Sequence, residues 1–482
     1  MKPCFMVAKI LAFAATLTLL AACSVGPRYA RPSVATPPAY KEIGEWKLAQ
    51  PKDTTERGRW WEIFGDARLN ALAVQIDVSS QEVRIAEAKY RQARALLQAA
   101  RAGQFPVVRA SASATRGESS QGSGNSTRAG GPANLYGIGL DAGWEADLWG
   151  RVRSAVESSA AGEQASAADL AAVRLSVQAE LASNYFQLRV LDAQRLLLDE
   201  SVAAFGKSLE LTRNRYAAGV VGKVDVAQAE TQLKSTQAQA LDIGVQRAQI
   251  EHAIAVLIGR PPAELALAPM PLEVALPVVP AGLPSELLER RPDIAAAERR
   301  MAAANAQIGV AMAAYFPALT LSASAGFQSS SFAQWLSLPN RFWSLGPALA
   351  QSVFDAGLRG ALTDQAAAVY DANVAAYRQT VLGGFREVED NLAALNILAL
   401  EAAVQAEAVQ AARQSTELTL NQYKAGTVSY LNVVASQTAQ LANERTAAAI
   451  LGRRLTATVA LVKALGGGWS AGELPAAGQT RR

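Results

Sequence analysis

Arg213-Asn214-Arg215-Tyr216-Ala217-Ala218-Gly219-Val220-Val221 returns 207 residues later as Leu420-Asn421-Gln422-Tyr423-Lys424-Ala425-Gly426-Thr427-Val428. Asp225-Val226 then falls on Asn432-Val433, and Glu180 and Asn184 fall on Glu387 and Asn391. Self-similarity at so long a fixed period means two halves built to one plan. Nearer the N-terminus the offset is 211: Ala86-Glu87 matches Ala297-Glu298, Phe105-Pro106 matches Phe316-Pro317, and Ser111-Ala112-Ser113-Ala114 matches Ser322-Ala323-Ser324-Ala325. At Tyr136 and Trp343 it is 207 again, so the change of length lies in a loop between these points.

In the first half that loop is the Gly- and Ser-rich stretch from Gly117 to Pro132. Before it, Val108, Ala110, Ala112 and Ala114 alternate with Arg109, Ser111, Ser113 and Thr115; after it, Tyr136, Ile138, Leu140, Ala142 and Trp144 alternate with small or acidic residues. Period two predicts strands. The second half repeats the pattern through Leu319, Leu321, Ala323, Ala325 and Phe327, with a less regular return near Phe342 to Phe354, where Pro347 lacks a ladder donor. Each strand has about the 9 to 11 residues a membrane β-strand needs. Tyr136, Trp144, Phe327, Phe342 and Trp343 lie near the strand ends, where interfacial aromatics belong.

The remainder reads as helix. Leu170, Val173, Val177, Leu181, Leu188 and Leu191 recur at helical spacing, as do Val381, Phe385, Val388, Leu392, Leu395 and Leu398. No proline interrupts Arg151 to Tyr216 or Arg359 to Tyr423. Runs of this length make helices of about 100 Å, beyond the reach of a compact domain. Narrow apolar seams and abundant alanine predict coiled-coil packing. Each run ends at an Ala-Gly turn, Ala218-Gly219 or Ala425-Gly426, and returns as a second amphipathic helix. The parts expected are therefore a signal segment at 1–22, an N-terminal segment at 23–65, a first repeat at 66–259, a Pro-rich linker at 260–284, a second repeat at 285–469 and a tail at 470–482.

Lys2 and Lys9, the apolar run Ile10 to Leu20, and Leu20-Ala21-Ala22-Cys23 have the layout of a secretory signal peptide. The cysteine at the cleavage point resembles a bacterial lipobox, in which it becomes the lipidated N-terminus. Ser24, rather than an aspartate, points to the outer membrane. Removal of the signal takes Cys4 with it, so no internal disulfide is available to the exported chain. One histidine, His252, leaves little room for a Ser-His-Asp triad or a clustered His/Cys metal site. The formal charge of +4 becomes +2 without Lys2 and Lys9, which gives no electrostatic case for nucleic acid. After the signal no apolar run of membrane-helix length is expected, so a membrane crossing requires a closed β-barrel.

Two hairpins cannot close a barrel alone, whereas three copies supply about twelve strands. At this point the chain resembles the TolC-like outer-membrane efflux proteins, in the lipoprotein branch that serves resistance-nodulation-division pumps. The resemblance spans nearly all of residues 23–470. It rests on Cys23, Gly26-Pro27 with Tyr29 and Pro32, Trp60-Trp61 with Phe64, and Asp147-Leu148-Trp149-Gly150-Arg151. It rests further on Arg290-Arg291-Pro292-Asp293-Ile294, Phe354-Asp355-Ala356-Gly357 and Gly466-Gly467-Gly468-Trp469. The resemblance implies an α+β membrane protein: a trimeric 12-stranded outer-membrane β-barrel, four strands per subunit, continued by a periplasmic α-helical coiled-coil barrel. It implies a multidrug-resistance duct without enzymatic activity or cofactor, apart from diacylglycerol and N-acyl lipid on Cys23. The implied partners are a homotrimer, a membrane-fusion adaptor, an inner-membrane resistance-nodulation-division pump and outer-membrane lipid.

The resemblance also assigns roles. Gly219, Val221, Gly426 and Val428 fall at the family's adaptor-docking tips, and Leu431, Asp225, Tyr216 and Tyr423 at its pore gate. Where the family commonly places an aspartate one turn beyond the gate leucine, Ala435 stands here, which leaves Asp225 as the acidic candidate. Tyr216 and Tyr423 are positioned to join neighbouring helices through their hydroxyls. Alternatives are a duct for protein or metal ions, or a lipid-anchored periplasmic coiled-coil scaffold. Only three methionines after Cys23 argue against a copper route, and four alternating strands oppose a scaffold.

Overall fold

The computed structural model describes residues 25–43, 59–118, 132–272, 274–277, 279 and 284–475. Cys23, the signal segment and most of the Gly117–Pro132 loop lie outside the described residues. In chain order the elements are α1 (Ala67–Ser79), α2 (Gln81–Ala102), β1 (Val107–Gly117), β2 (Ala133–Ala146), α3 (Arg151–Ala217) and α4 (Lys223–Leu257). There follow α5 (Pro292–Ala313), β3 (Ala318–Ser329), β4 (Arg341–Ala350), α6 (Leu358–Lys424) and α7 (Tyr430–Ala464). The bounds of α3 and α4 shifted by 207 are those of α6 and α7, and the bounds of α2 shifted by 211 are those of α5.

The four strands form one antiparallel sheet in the order β1-β2-β3-β4. Its register separates two faces. Ala110, Leu140, Ala325 and Trp343 stand side by side on one, as do Ala112, Ile138 and Phe327; Arg109, Asp141, Ser324 and Ser344 share the other. Phe342, one residue from Trp343, therefore faces the small-polar side rather than joining the outer aromatics. There it lies over Gly139 and Gly326. A Cβ at Gly326 would come within 2.2 Å of the Ile138 carbonyl, so only glycine fits. At the loop end of the sheet Tyr136 packs edge-on to Phe332 and Trp335, with centroids 5.3 and 6.4 Å away. At the helix end Trp149 stacks on Phe316 and donates to the Pro317 carbonyl at 2.8 Å.

The junction from sheet to long helix explains two of the sequence motifs. Asp147 accepts from the amides of Val152 and Arg153 at 2.9 and 2.8 Å, which satisfies free donors in the first turn of α3. Gly150 adopts φ 81° to make the turn between them. In the second half Asp355 accepts from the amides of Gly357 and Arg359, and Gly357 has φ 91°. A side-chain bond from the Arg359 guanidinium, with the two amide bonds adding to it, holds the Asp355 carboxyl below its ordinary range.

The main core lies midway along the helices, where Trp60, Phe64 and Leu69 meet Tyr185, Phe186 and Leu188 of α3 and Val381 and Val388 of α6. Arg291 ties α5 into it, donating to Asp293, to Glu387 of α6 and to the Ala464 carbonyl that ends α7. The N-terminal segment packs onto this frame: Gly26 meets Gly309 backbone to backbone, where a Cβ would approach to 2.6 Å. Against the expectation of no further membrane-length run, α6 holds a stretch long and apolar enough by composition, of which only 17% is buried. Alanine raises its hydropathy without giving the continuous bulk of a lipid-facing span.

Of the Pro-rich stretch 260–284, expected as a plain linker, the described residues 260–272 and 274–277 form a strap. Leu265, Leu267, Leu272 and Leu276 pack against the core. Beneath them Asp192 bridges Arg189 at 3.0 Å and Arg247 at 2.7 Å, with both Arg189 and Asp192 side chains almost fully buried. Arg189 also donates to the Ala268 carbonyl, while Asp192 accepts from the Met270 amide and Glu251 from the Leu267 amide. Asp192→Ala leaves the buried Arg189 without a counter-charge, whereas Arg247 keeps Glu251, and is expected to cost about 3–5 kcal/mol. Arg386→Ala removes an exposed pair with Asp390 and is expected to cost at most about 1 kcal/mol. Thermal unfolding followed by circular dichroism in detergent distinguishes them; equal midpoints would show that the buried bridge is not what fastens the strap.

Candidate functional site at the helix tips

The ends of the two helical hairpins are built alike. In the first, Ala218 N–H donates to the Asn214 carbonyl, and the amides of Gly219 and Val220 donate to the carbonyls of Tyr216 and Arg215 at 2.9 Å. In the second, Gly426 and Thr427 donate to Tyr423 and Gln422 at 3.0 Å. Gly219 and Gly426 take φ of 72° and 80°, the left-handed conformation that ends a helix with its last carbonyls satisfied. Both glycines are exposed, and Val221 and Val428 are half-buried beside them.

Between the hairpins lies a small core of Leu209, Ala229, Tyr423, Tyr430 and Val433. Tyr423 is 1% exposed. Its hydroxyl lies 3.2 Å from Thr212 Oγ1, and because that oxygen already donates to the Ser208 carbonyl, Tyr423 is the donor. The Arg215 guanidinium covers the Tyr423 ring at 4.5 Å and also donates to the Tyr423 carbonyl. Tyr430 meets Tyr423 edge-on at 5.5 Å, with its own hydroxyl buried and without a partner among the described residues.

The expected gate residues thus divide. Tyr423 joins α6 to α3, as its sequence position suggests, whereas Tyr216 is 46% exposed and makes no such bond among the described residues. Leu431 is 57% exposed at the start of α7, and its counterpart Val224 is similarly bare on α4. The Asp225 carboxylate accepts from the Gly222 amide at 3.2 Å, so it caps the N-terminus of α4. Arg215, Thr212 and Tyr430 complete the joint and were not singled out by sequence. The available signal was a mismatch in the repeat, Arg215 against Gln422.

Burial, with the neighbouring Tyr423 adding to it, pushes the Tyr430 hydroxyl up to about 12. A tyrosine whose folded value is raised is stabilising in its neutral form. Its contribution is complete below the unfolded value of about 10 and is lost as pH rises towards the folded one. The tip packing is therefore insensitive to pH across the physiological range on account of this group.

A pair of repeated 100 Å helical hairpins, continued by a sheet with an apolar and a small-polar face, defines a membrane-anchored tunnel subunit. A sequence profile of the outer membrane efflux protein family matches residues 72–260 and 283–467, and the chain belongs to that family. It is 32% identical to the pyoverdine export outer membrane protein OpmQ of Pseudomonas aeruginosa, over 96% of this chain and 97% of OpmQ. It is equally identical to the toluene efflux pump outer membrane protein TtgC of Pseudomonas putida, over 96% of each chain. The solved outer-membrane channel OprN superposes with a TM-score of 0.86 at 33% identity, covering 93% of this chain and all of OprN. The chain is accordingly an outer-membrane efflux channel protein that extends into the periplasm.

Two substitutions separate the roles in the tip core. Tyr423→Phe removes the donor to Thr212 and is expected to destabilise the joint by about 1 kcal/mol. Tyr430→Phe deletes an unpaired buried hydroxyl and is expected to be neutral or stabilising. Amide exchange at the ends of α3 and α6 measures both; faster exchange in Tyr430→Phe than in Tyr423→Phe would reverse the assignment.

Proposed function

We propose that the chain is one subunit of a homotrimeric exit duct through which an inner-membrane resistance-nodulation-division pump, coupled by a membrane-fusion adaptor, expels small organic compounds. The observation that carries this reading is the sheet, whose edge strands, β1 and β4, have no partner on their outer sides among the described residues. Open edges cannot be left in lipid, and three copies bring about twelve strands, enough for a barrel. The lumen face, with Ser111, Asp141, Ser324 and Ser344, suits the passage of hydrated solutes, and the outer face suits lipid. The duct performs no catalysis; the pump supplies the energy. Six tips, each with an exposed glycine at Gly219 or Gly426 flanked by Val221 or Val428, offer the adaptor its docking sites.

The lipid anchor on Cys23 fits the same arrangement. The first described residue, Val25, donates to the Trp149 carbonyl at 3.4 Å, so the chain enters at the junction of sheet and helices. A lipid attached two residues earlier lies at the level of the membrane. The substrate class follows OpmQ and TtgC, whose names specify pyoverdine and toluene. A strain lacking the gene is expected to become more susceptible to solvents and amphiphilic antimicrobials. Unchanged susceptibility across such a panel, with the duct demonstrably expressed in the parent, would overturn the substrate class. Wild type is expected to incorporate labelled palmitate and Cys23→Ser is not.

At the tip, closure rests on Leu431. Three such leucines meeting on the axis exclude hydrated ions by dewetting, without the acidic ring that Ala435 lacks. Leu431→Ser is expected to raise conductance in planar bilayers. Asp225→Asn, which retains an oxygen to cap α4, is expected to leave closure intact and to alter ion selectivity more. Opening by Asp225→Asn with none by Leu431→Ser would place the seal on an acidic ring instead.

A further inference from the structure

Parity in the sheet sorts its charges. On the face that carries Ala110, Leu140, Ala325 and Trp343, the strands place only two ionic groups, Arg116 of β1 and Arg341 of β4, and both stand at the loop end. Both side chains are exposed, and neither has an ion pair or hydrogen bond among the described residues. Glu118 lies two positions beyond Arg116 without pairing with it. On the opposite face Arg109 has Asp141 directly across the ladder, and Glu145 holds Arg151. The lumen side is thus balanced in sign, whereas the outer side is purely cationic at one end.

At the same end the loop from β3 to β4 carries no charge, reading Phe332-Ala333-Gln334-Trp335-Leu336-Ser337-Leu338-Pro339-Asn340. Its shape is fixed by two short 3-10 turns, Phe332–Gln334 and Leu338–Asn340. The Asn340 amide locks them together, donating to the Gln334 carbonyl at 2.7 Å and to Ser337 Oγ at 3.0 Å. Phe332 stacks on Trp335 with centroids 5.7 Å apart, and both rings pack on Tyr136. Tyr136 shares a face with Ile138 and Leu140, so the loop folds over the outer side of the sheet and not across the lumen. Even so, Phe332, Leu336 and Leu338 remain 65, 58 and 71% exposed. Joining two strands does not demand these groups, since Gly117–Pro132 joins the first pair with no large apolar residue.

We propose that this apolar loop and the two arginines bind the glycolipid of the outer leaflet, a multiply phosphorylated disaccharide with several acyl chains. Phe332, Leu336 and Leu338 lie against its chains, and the guanidiniums take its phosphates. The inference rests on the barrel proposed above, whose outer face meets lipid, and names the lipid met there. Since the helices extend into the periplasm from the other end of the sheet, the loop end is the external one. Arg116 and Arg341 lie on opposite edge strands, so edge-to-edge joining of copies sets Arg341 beside the partner subunit's Arg116 on adjacent strands. Two cations at each junction, with no carboxylate paired to either, suit a lipid with more than one phosphate. Guanidinium binds phosphate oxygens through paired hydrogen bonds, and basic residues beside apolar surface hold anionic head groups. A zwitterionic head group brings its own cation and satisfies neither arginine fully.

Full-length trimer in nanodiscs tests the site. The bilayers are zwitterionic phospholipid doped with diphosphoryl lipid A, its dephosphorylated counterpart or phosphatidylglycerol, and native mass spectrometry of the released trimer reads what stays bound. Wild type is expected to retain the diphosphoryl lipid and to lose the other two. Arg341→Gln and Arg116→Gln are each expected to weaken retention about fivefold, and Arg341→Lys by less. Equal retention of the dephosphorylated lipid or of phosphatidylglycerol, or undiminished retention in both glutamine variants, overturns the phosphate site. Fluorophores on Leu338→Cys and Trp343→Cys, read by quenching with brominated acyl chains and with aqueous iodide, locate the loop separately. Both are expected to be quenched by the brominated chains. A Leu338→Cys label quenched only by iodide, or by neither quencher because protein covers it, overturns the loop contact while a lipid-quenched Trp343→Cys label leaves the barrel in place. Iodide quenching of both labels without lipid quenching overturns the barrel reading itself.

Discussion

The structure is organised by the need to satisfy backbone hydrogen bonds where no water can do so. A sheet of four strands satisfies its interior amides and carbonyls but leaves those along β1 and β4 free. In water such edges invite aggregation; in lipid each unpaired group costs several kcal/mol. The solution is multiplication of the subunit, and the rest of the architecture is set by it. Strands that join edge to edge around an axis place the helices attached to them around the same axis. The helices must then form a tube, whose walls are only one helix pair deep. A wall that thin cannot bury its residues as a globular domain does, which is why α6 retains so much open apolar surface.

Duplication within the chain supplies that tube economically, since each half contributes a hairpin and each hairpin occupies a similar place. Similar is not identical. A duplicated gene makes two classes of seam, one inside the subunit and one between subunits, and selection acts on them separately. The internal seam holds Arg215 over Tyr423 and the glycine contact at Gly452, whereas their counterparts are Gln422 and Val245.

Much of this architecture was legible because it depends on period and punctuation. The proline-free runs gave α3 and α6 nearly to the residue, and alternation gave the strands, since a wrong register would turn every apolar side chain to the other face. The caps were visible as Asp147 and Asp355, each followed by a glycine, although a motif alone does not say that its carboxylate binds amides. The strap was not legible. No motif links Arg189, Asp192, Arg247 and Glu251 in sequence, and only tertiary packing brings them together under the strap. Tyr216 and Tyr423 were indistinguishable by position, because one lies at an internal seam and the other at a face this chain does not cover. Phe342 lies at a strand end, as its place in the sequence suggests, and its parity against Trp343 turns it to the small-polar face.

The buried charges of the strap are rooted in the same geometry as the tube. A helix 100 Å long with a narrow apolar seam can slide along its neighbours, since one heptad offers nearly the same contacts as the next. A buried cluster that spans elements does not slide: displaced by a turn, the Arg189–Asp192 pair of α3 loses Arg247 of α4 and the Ala268 carbonyl and Met270 amide of the strap. Arg291 does the same for α5, α6 and the end of α7, with partners on each. The gain in net stability from either cluster is small, because desolvation offsets most of the attraction. What the clusters contribute is register. Both lie near the middle of the long helices, so they set the height of the tips relative to the sheet. Because α3 and α6 are equally long, both hairpins of a subunit then end at a level fixed by these clusters.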